Sequence, residues 1–147
     1  DFDLVTQDAA LDVWDQLTQA TFLALVVISS IALLVGGIGV MAIMTISVTE
    51  RTREIGLRKA VGARRREILW QFLVEAGILT STGGILGIIA GSGLGILVHF
   101  IFDFPVSLPW WSFALGLGFS SLVGVLFGMI PAIRASRLDP IEALHYE

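Results

Sequence analysis

Cysteine is missing altogether from the 147 residues, which rules out a disulfide framework. Charge is scarce as well. Only 15% of the residues are charged against 55% hydrophobic, and the mean hydropathy is +0.85, which excludes a soluble domain with an ordinary polar surface. Several chemistries are excluded with it. There is no G-x-x-x-x-G-K-[ST] stretch to cradle nucleotide phosphates. "GGIGV" and "GSGLG" lie inside apolar runs with no strand before them, where glycine serves helix packing. No group of His, Asp and Glu has metal-ligand spacing. Ser92 and His99 would stand about 10 Å apart along one helix, too far for a nucleophile and its base. The residues thus point to no catalytic, cofactor or metal site, and nothing in them calls for a nucleic-acid partner.

What is present is a set of long runs without charge. No Asp, Glu, Lys or Arg occurs between Asp15 and Glu50, between Glu75 and Asp103, or between Asp103 and Arg134. A helix of about 20 apolar residues crosses a hydrocarbon core of roughly 30 Å. Three such helices fit, over 21–49, 71–102 and 110–133, so the predicted fold class is an all-α integral membrane protein. The first run is too long for a signal peptide and follows an acidic flank.

Lys and Arg gather on the cytoplasmic side of spanning helices. Here all nine basic residues fall on one side of the three-helix arrangement: seven within 50–67, then Arg134 and Arg137. The N-terminal flank has Asp1, Asp3, Asp8, Asp12 and Asp15 and no basic residue. The expected order is therefore an extracytoplasmic stalk helix over 1–20, a span over 21–49, a cytoplasmic segment over 50–70 and a span over 71–102. An extracytoplasmic loop over 103–109, a span over 110–133 and a cytoplasmic tail over 134–147 complete it. Trp70, Trp110 and Trp111 fall where interfacial aromatics belong. Leu11, Val13, Trp14 and Leu17 recur at helical spacing in the stalk, with Thr6 placed to cap its start. No Gly or Pro interrupts 7–35, so the pattern predicts one rod from residue 7 to about 50, about 65 Å long. The chain opens on Asp1 inside a polar stretch, and we expect it to be the C-terminal piece of a longer polypeptide.

Simple charge anchoring would account for arginines scattered over 50–67, but the stretch "ERTREIGLRKAVGARRRE" holds more. Glu50 and Glu54, and Glu54 and Arg58, stand four apart, so both signs of charge share a helix face beside Arg51. Ile55, Leu57 and Val61 supply apolar contacts, and Gly56 leaves the backbone bare. Gly62 follows Lys59 and two small residues, the pattern of a helix stop. From Arg64 a second helical pattern leads through Ile68, Leu69, Phe72 and Leu73 into the next span. A short helix of mixed charge between two spans suits the docking of another protein, through Glu50, Arg51, Glu54, Ile55, Gly56, Arg58, Lys59 and Gly62. Glu75 is a candidate proton carrier by its depth, although an ion pair with Arg64, Arg65 or Arg66 is the plainer expectation.

Gly83, Gly87, Gly91 and Gly95 recur every four residues, and Gly124 and Gly128 repeat the interval. Such spacing lets helix backbones approach closely in lipid, against a helix of this chain or of another copy. At the other end, "LDPIEALHYE" marks a helix start, with Asp139 as cap, Pro140 in first position and Glu142 at the reciprocal capping position. Pro131 is expected to bend or end the last span.

"SVTERTREIGLRKAVGARRREILWQFLVEAGILTSTGGILGIIAG" closely resembles the cytoplasmic loop and following span of the FtsX/MacB-like permeases of ABC transporters. "GMIPAIRASRLDPIEALHYE" is similar to that family's C-terminal ending, and "LLVGGIGVMAIM" to its preceding span. The resemblance implies a protomer of four spanning helices with an extracytoplasmic domain between the first two. This chain would hold the last three, with a long N-terminal stalk helix and a short cytoplasmic coupling helix. It further implies that the loop at 50–67 contains the helix that docks on an ABC ATP-binding subunit or domain, and that two protomers, as a homodimer, work with two ATPases in the bacterial inner membrane. The chain itself would be a non-catalytic permease subunit. Two other classes stay open on the residues: a regulatory membrane protein that activates an extracytoplasmic enzyme without moving cargo, and an ion-coupled secondary transporter resting on Glu75.

Overall fold

The computed structural model describes residues 2–103 and 105–145, so Asp1, Phe104, Tyr146 and Glu147 lie outside the described residues. Among the described residues five helices follow in order: α1 (Phe2–Glu50), α2 (Thr52–Ala60), α3 (Arg65–Phe102), α4 (Trp110–Arg137) and α5 (Pro140–Leu144). Among the described residues there is no strand. Stretches of α1, α3 and α4 are long and apolar enough to cross a membrane: Leu4–Glu50, Arg65–Phe102 and Trp110–Arg137. The chain is an all-α, multi-pass membrane protein.

Its contacts separate two units, Asp1–Val35 and Gly36–Glu147. In the first, α1 passes Thr18 without a break. Its hydroxyls are satisfied inside the helix, Thr18 donating to the Trp14 carbonyl (2.9 Å), Thr21 to Leu17 (2.8 Å) and Ser30 to Val26 (2.7 Å). Back-bonding of this kind lets a polar side chain ride in lipid without an unpaired group. Thr6 does the same, donating to the Phe2 carbonyl (2.9 Å), so it is an interior residue and not the cap expected from the sequence. Leu11, Trp14, Leu17 and Phe22 are exposed along this unit.

The second unit contains the core. Met44 at the end of α1, Ile55 of α2, Ile68, Phe72 and Ala76 of α3, and Ala132 and Ala135 of α4 form one buried cluster. Above it α3 and α4 pack antiparallel through small residues. A Cβ built on Gly128 would lie 2.5 Å from the Ala76 methyl, one on Gly124 would overlap the Thr80 side chain, and one on Gly84 would sit 3.1 Å from Ser120 Oγ. Each step of four residues up α3 thus meets a step of four down α4. Hydroxyls weld the same seam: Ser120 donates to the Thr80 carbonyl (3.1 Å), and the Ser81 and Ser121 hydroxyls share a bond (3.0 Å). Phe127 of α4 covers Gly37, whose Cβ would come within 2.5 Å of the ring.

The α3–α4 turn starts where Asp103, at φ 51°, closes α3 in the left-handed conformation, and Pro109 opens α4. Pro131 neither ends α4 nor exposes it. The ring is buried and the helix continues to Arg137.

Candidate partner-docking site

The stretch from Glu50 to Glu67 becomes a helix held at both ends. Arg51 and Thr52 turn the chain out of α1. After α2, Val61 is the C-cap and Gly62 takes φ +105°, a conformation that costs a residue with a Cβ dearly. The Gly62 N–H bonds the Lys59 carbonyl (3.1 Å) and the Ala63 N–H bonds Arg58 (3.0 Å), the two bonds of a Schellman stop. Arg64 then caps α3, its N–H donating to Glu67 Oε2 (3.2 Å). The following helix starts at Arg65, ahead of the boundary at 71 expected for the span.

One face of α2 is closed by the chain itself. Thr52, Ile55 and Gly56 are buried, Ile55 against the α3 side chains Ile68 and Phe72 of the core. Gly56 meets α5, and a Cβ there would stand 2.6 Å from that of Ala143. The α5 helix is held in turn by Asp139, which accepts the Ile141 N–H at 3.0 Å, with Pro140 in the first turn.

The charged residues divide into those tied down and those open. Arg58 binds Glu54 on its own helix (2.5 Å) and Gln71 on α3 (2.7 Å). Arg51 reaches Glu75 at 3.5 Å, so the partner of Glu75 is Arg51 and not Arg64, Arg65 or Arg66 as the sequence suggested. Lys59, the single lysine of the chain, donates from Nζ to the Ser136 and Leu138 carbonyls, each at 2.5 Å. Burial, with repulsion from the Arg65 guanidinium next, holds its ammonium below the usual 10.5, and Asp139 opposes that shift.

The exposed face is what remains: Arg53, Leu57 and Val61, four residues apart, with Glu50, Ala60 and Gly62 beside them. Leu57 is 57% exposed and Val61 82%. Of the three apolar residues expected to act together, Ile55 alone is inside. Two residues along a helix turn the chain by about 200°, so the separation of Ile55 from Leu57 was readable from spacing. The role of Lys59 was not, because its acceptors lie far along the chain.

The glycines also divide. Gly124 and Gly128 are buried against α3, and Gly95 lies 3.7 Å, Cβ position to Cγ1, from Val106. Around Gly83, Gly87 and Gly91, among the described residues, nothing beyond the backbone of α3 itself comes within 4 Å of a built Cβ. Gly84, outside the four-residue ladder, makes the contact with α4.

The short α2 helix is therefore closed on one face by its own chain and open on the other. The model of the FtsX-like permease C-terminal region matches residues 26–140. The chain belongs to the FtsX-like permease family. It is 57% identical over 120 residues to the uncharacterized ABC transporter permease YknZ of Bacillus subtilis, covering 82% of this chain and 30% of that protein. It is 54% identical over 143 residues to the uncharacterized ABC transporter permease YvrN of the same organism, covering 96% of this chain and 34% of the relative. With the macrolide export ATP-binding/permease protein MacB of Bdellovibrio bacteriovorus it shares 51% identity over 130 residues, 88% of this chain and 20% of that protein. The chain thus spans about a third or less of the length of these relatives. The matched region runs from the apolar part of α1 to Pro140, the first residue of α5.

Proposed function

We propose that this FtsX-like chain is the membrane portion of an ABC permease of the bacterial inner membrane, and that α2 is the coupling helix on which an ATP-binding subunit or domain docks. The stalk and the 103–109 loop face outward, and α2 and α5 face the cytoplasm. Hydrolysis by the partner moves α2, and the spans carry that motion to export, extraction or mechanical work beyond the membrane. Two protomers form the unit, with the open Gly83, Gly87 and Gly91 face of α3 available to the second copy.

The observation that carries this reading is the division of α2 into a closed and an open face. Ile55 and Gly56 bind it to its own chain, while Arg53, Leu57 and Val61 stay exposed on a helix pinned at both ends. A mere charge anchor needs no such apolar stripe. Names among the relatives, ABC transporter permease and ATP-binding/permease protein, supply the class of partner. The pairing of Glu75 with Arg51 at 3.5 Å favours a structural role for that carboxylate over proton carriage.

The test is co-purification of the ATP-binding subunit with the full-length permease, together with its hydrolysis rate in the reconstituted complex. Leu57→Asp and Glu54→Lys should each leave insertion intact, because both positions are exposed and the Glu54–Arg58 pair is a surface pair worth about 0.3–0.5 kcal/mol. Each should weaken binding by about tenfold or more and detach hydrolysis from transport activity, since a misplaced charge at an interface costs several kcal/mol. Wild-type binding and coupling in both variants would return the segment to the role of a charged anchor.

A further inference from the structure

We propose that the cleft between the end of α2, the start of α3 and the end of α4 accepts a carboxylate of the ATP-binding partner, with Arg65 and Arg137 as its anchors and Lys59 at its back. The proposal rests on the docking reading above and states the chemistry of the surface that meets α2. The cleft has a volume of about 270 Å³ and is lined by Lys59, Ala63, Arg65, Arg137 and the 138–140 segment. Residues far apart in the chain converge there, because Lys59 is drawn to the Ser136 and Leu138 carbonyls and brings the α2–α3 link against the end of α4.

Its charges do not balance. Three cations face Asp139, whose Oδ1 already accepts the Ile141 N–H at 3.0 Å. Lys59 has two acceptors for its three donors. Arg65 and Arg137 are exposed and enter no ion pair among the described residues. Arg65 and Arg137 line the same opening, and a guanidinium can hold a carboxylate with paired N–H groups.

A protein side chain fits this opening better than a lipid headgroup. Val61, two residues before the cleft residue Ala63, is 82% exposed, and Ile141, next to the cleft residue Pro140, is 70% exposed, so an occupant from a protein surface would bring apolar contact with its charge. The aromatic side chain suited to the membrane interface, Trp70, lines a different hollow with Arg64 and Arg66.

The experiment compares full-length permease with its Arg65→Gln/Arg137→Gln double variant in binding to the purified ATP-binding subunit across a salt series. The expected result is about tenfold weaker binding for the variant at ~100 mM salt, a gap that narrows as salt rises to about 0.5 M. Thermal stability of the variant alone should match wild type, as both arginines are exposed and neither enters an ion pair among the described residues. Arg65→Lys/Arg137→Lys, which keeps the charge, should recover part of the affinity. Unchanged binding in the Gln variant beside lost binding in Leu57→Asp would overturn the cleft and leave the docking reading standing. Unchanged binding in both would sink both. Without the subunit, both permeases are heated in vesicles of phosphatidylglycerol and of phosphatidylcholine. A phosphatidylglycerol stabilisation that the variant loses, with subunit binding unaltered, would make the occupant a lipid phosphate and overturn the proposal. The same stabilisation from about 10 mM inorganic phosphate would assign the cleft to a free anion and overturn it equally.

Discussion

One ammonium group joins the ends of three helices. Lys59 leaves the last turn of α2 and donates to the carbonyls of Ser136 in α4 and of Leu138, just before Asp139 caps α5. Carbonyls at a helix C-terminus have no partner within the helix, and a cation there is favoured by the dipole as well. Lys59→Met keeps the stem and removes the donors. We expect it to lower stability by about 2 kcal/mol, read as a fall of several degrees in the melting temperature of the purified permease, because hydrogen bonds to a charged group contribute about 1.5–3 kcal/mol and some of this is offset by easier burial. The pH dependence has a definite sign. Since burial and Arg65 depress the folded pKa below 10.5, the unfolded chain holds its proton more tightly in that window. Stability attributable to this group therefore rises as pH climbs from the folded value towards 10.5, and the rise should vanish in Lys59→Met. A difference melting curve between the two proteins that fell with alkaline pH would contradict the assignment.

Between α3 and α4 the contact is made of what is missing. Gly124 and Gly128 let Thr80 and Ala76 reach the α4 backbone, and Ser81, Ser120 and Ser121 close the seam with hydroxyl bonds. In lipid, where apolar side chains gain little by leaving the solvent, this close approach is the main attraction. Gly128→Leu should accordingly cost about 2 kcal/mol or more, as overpacking a tight contact does, and lower the melting temperature of the single protomer. Gly87→Leu is expected to leave that temperature unchanged, because among the described residues nothing beyond the backbone of its own helix lies within 4 Å of its Cβ position, and to reduce the dimer fraction in detergent. Equal effects on the two measurements would place both glycines in one interface. On α2, Gly56→Val would push α5 away before any partner was met, since Ala143 already occupies that space.

For the molecule as a whole, the one-sided basic residues make a prediction about sidedness. Cysteines placed at Asp8 and Val106 should react with a membrane-impermeant thiol reagent in intact cells, and those at Arg65 and Arg137 only after lysis. Arg137 serves here and its neighbour Ser136 does not, since Ser136 is 6% exposed and would stay silent on either side. Labelling at position 65 from outside would reverse the whole scheme. Much of the architecture was legible in the amino acids. Charge-free runs predicted the three long helices, the unbroken 7–35 stretch predicted a continuous α1, and Gly62 and Asp139 marked a helix stop and start that the backbone follows. These signals are local, carried by length, spacing and the conformational limits of single residues. What the amino acids could not disclose depends on residues brought together across the fold. The partner of Glu75 is Arg51 rather than the nearer-looking Arg64–Arg66 group, and Thr6 lies within its helix rather than at the cap. Gly84 in place of its ladder neighbours meets α4, and Lys59, Arg65 and Arg137 share a cleft. Helical periodicity says which residues share a face, but the face that is buried is decided by the helix that comes to lie against it. That choice belongs to the tertiary structure.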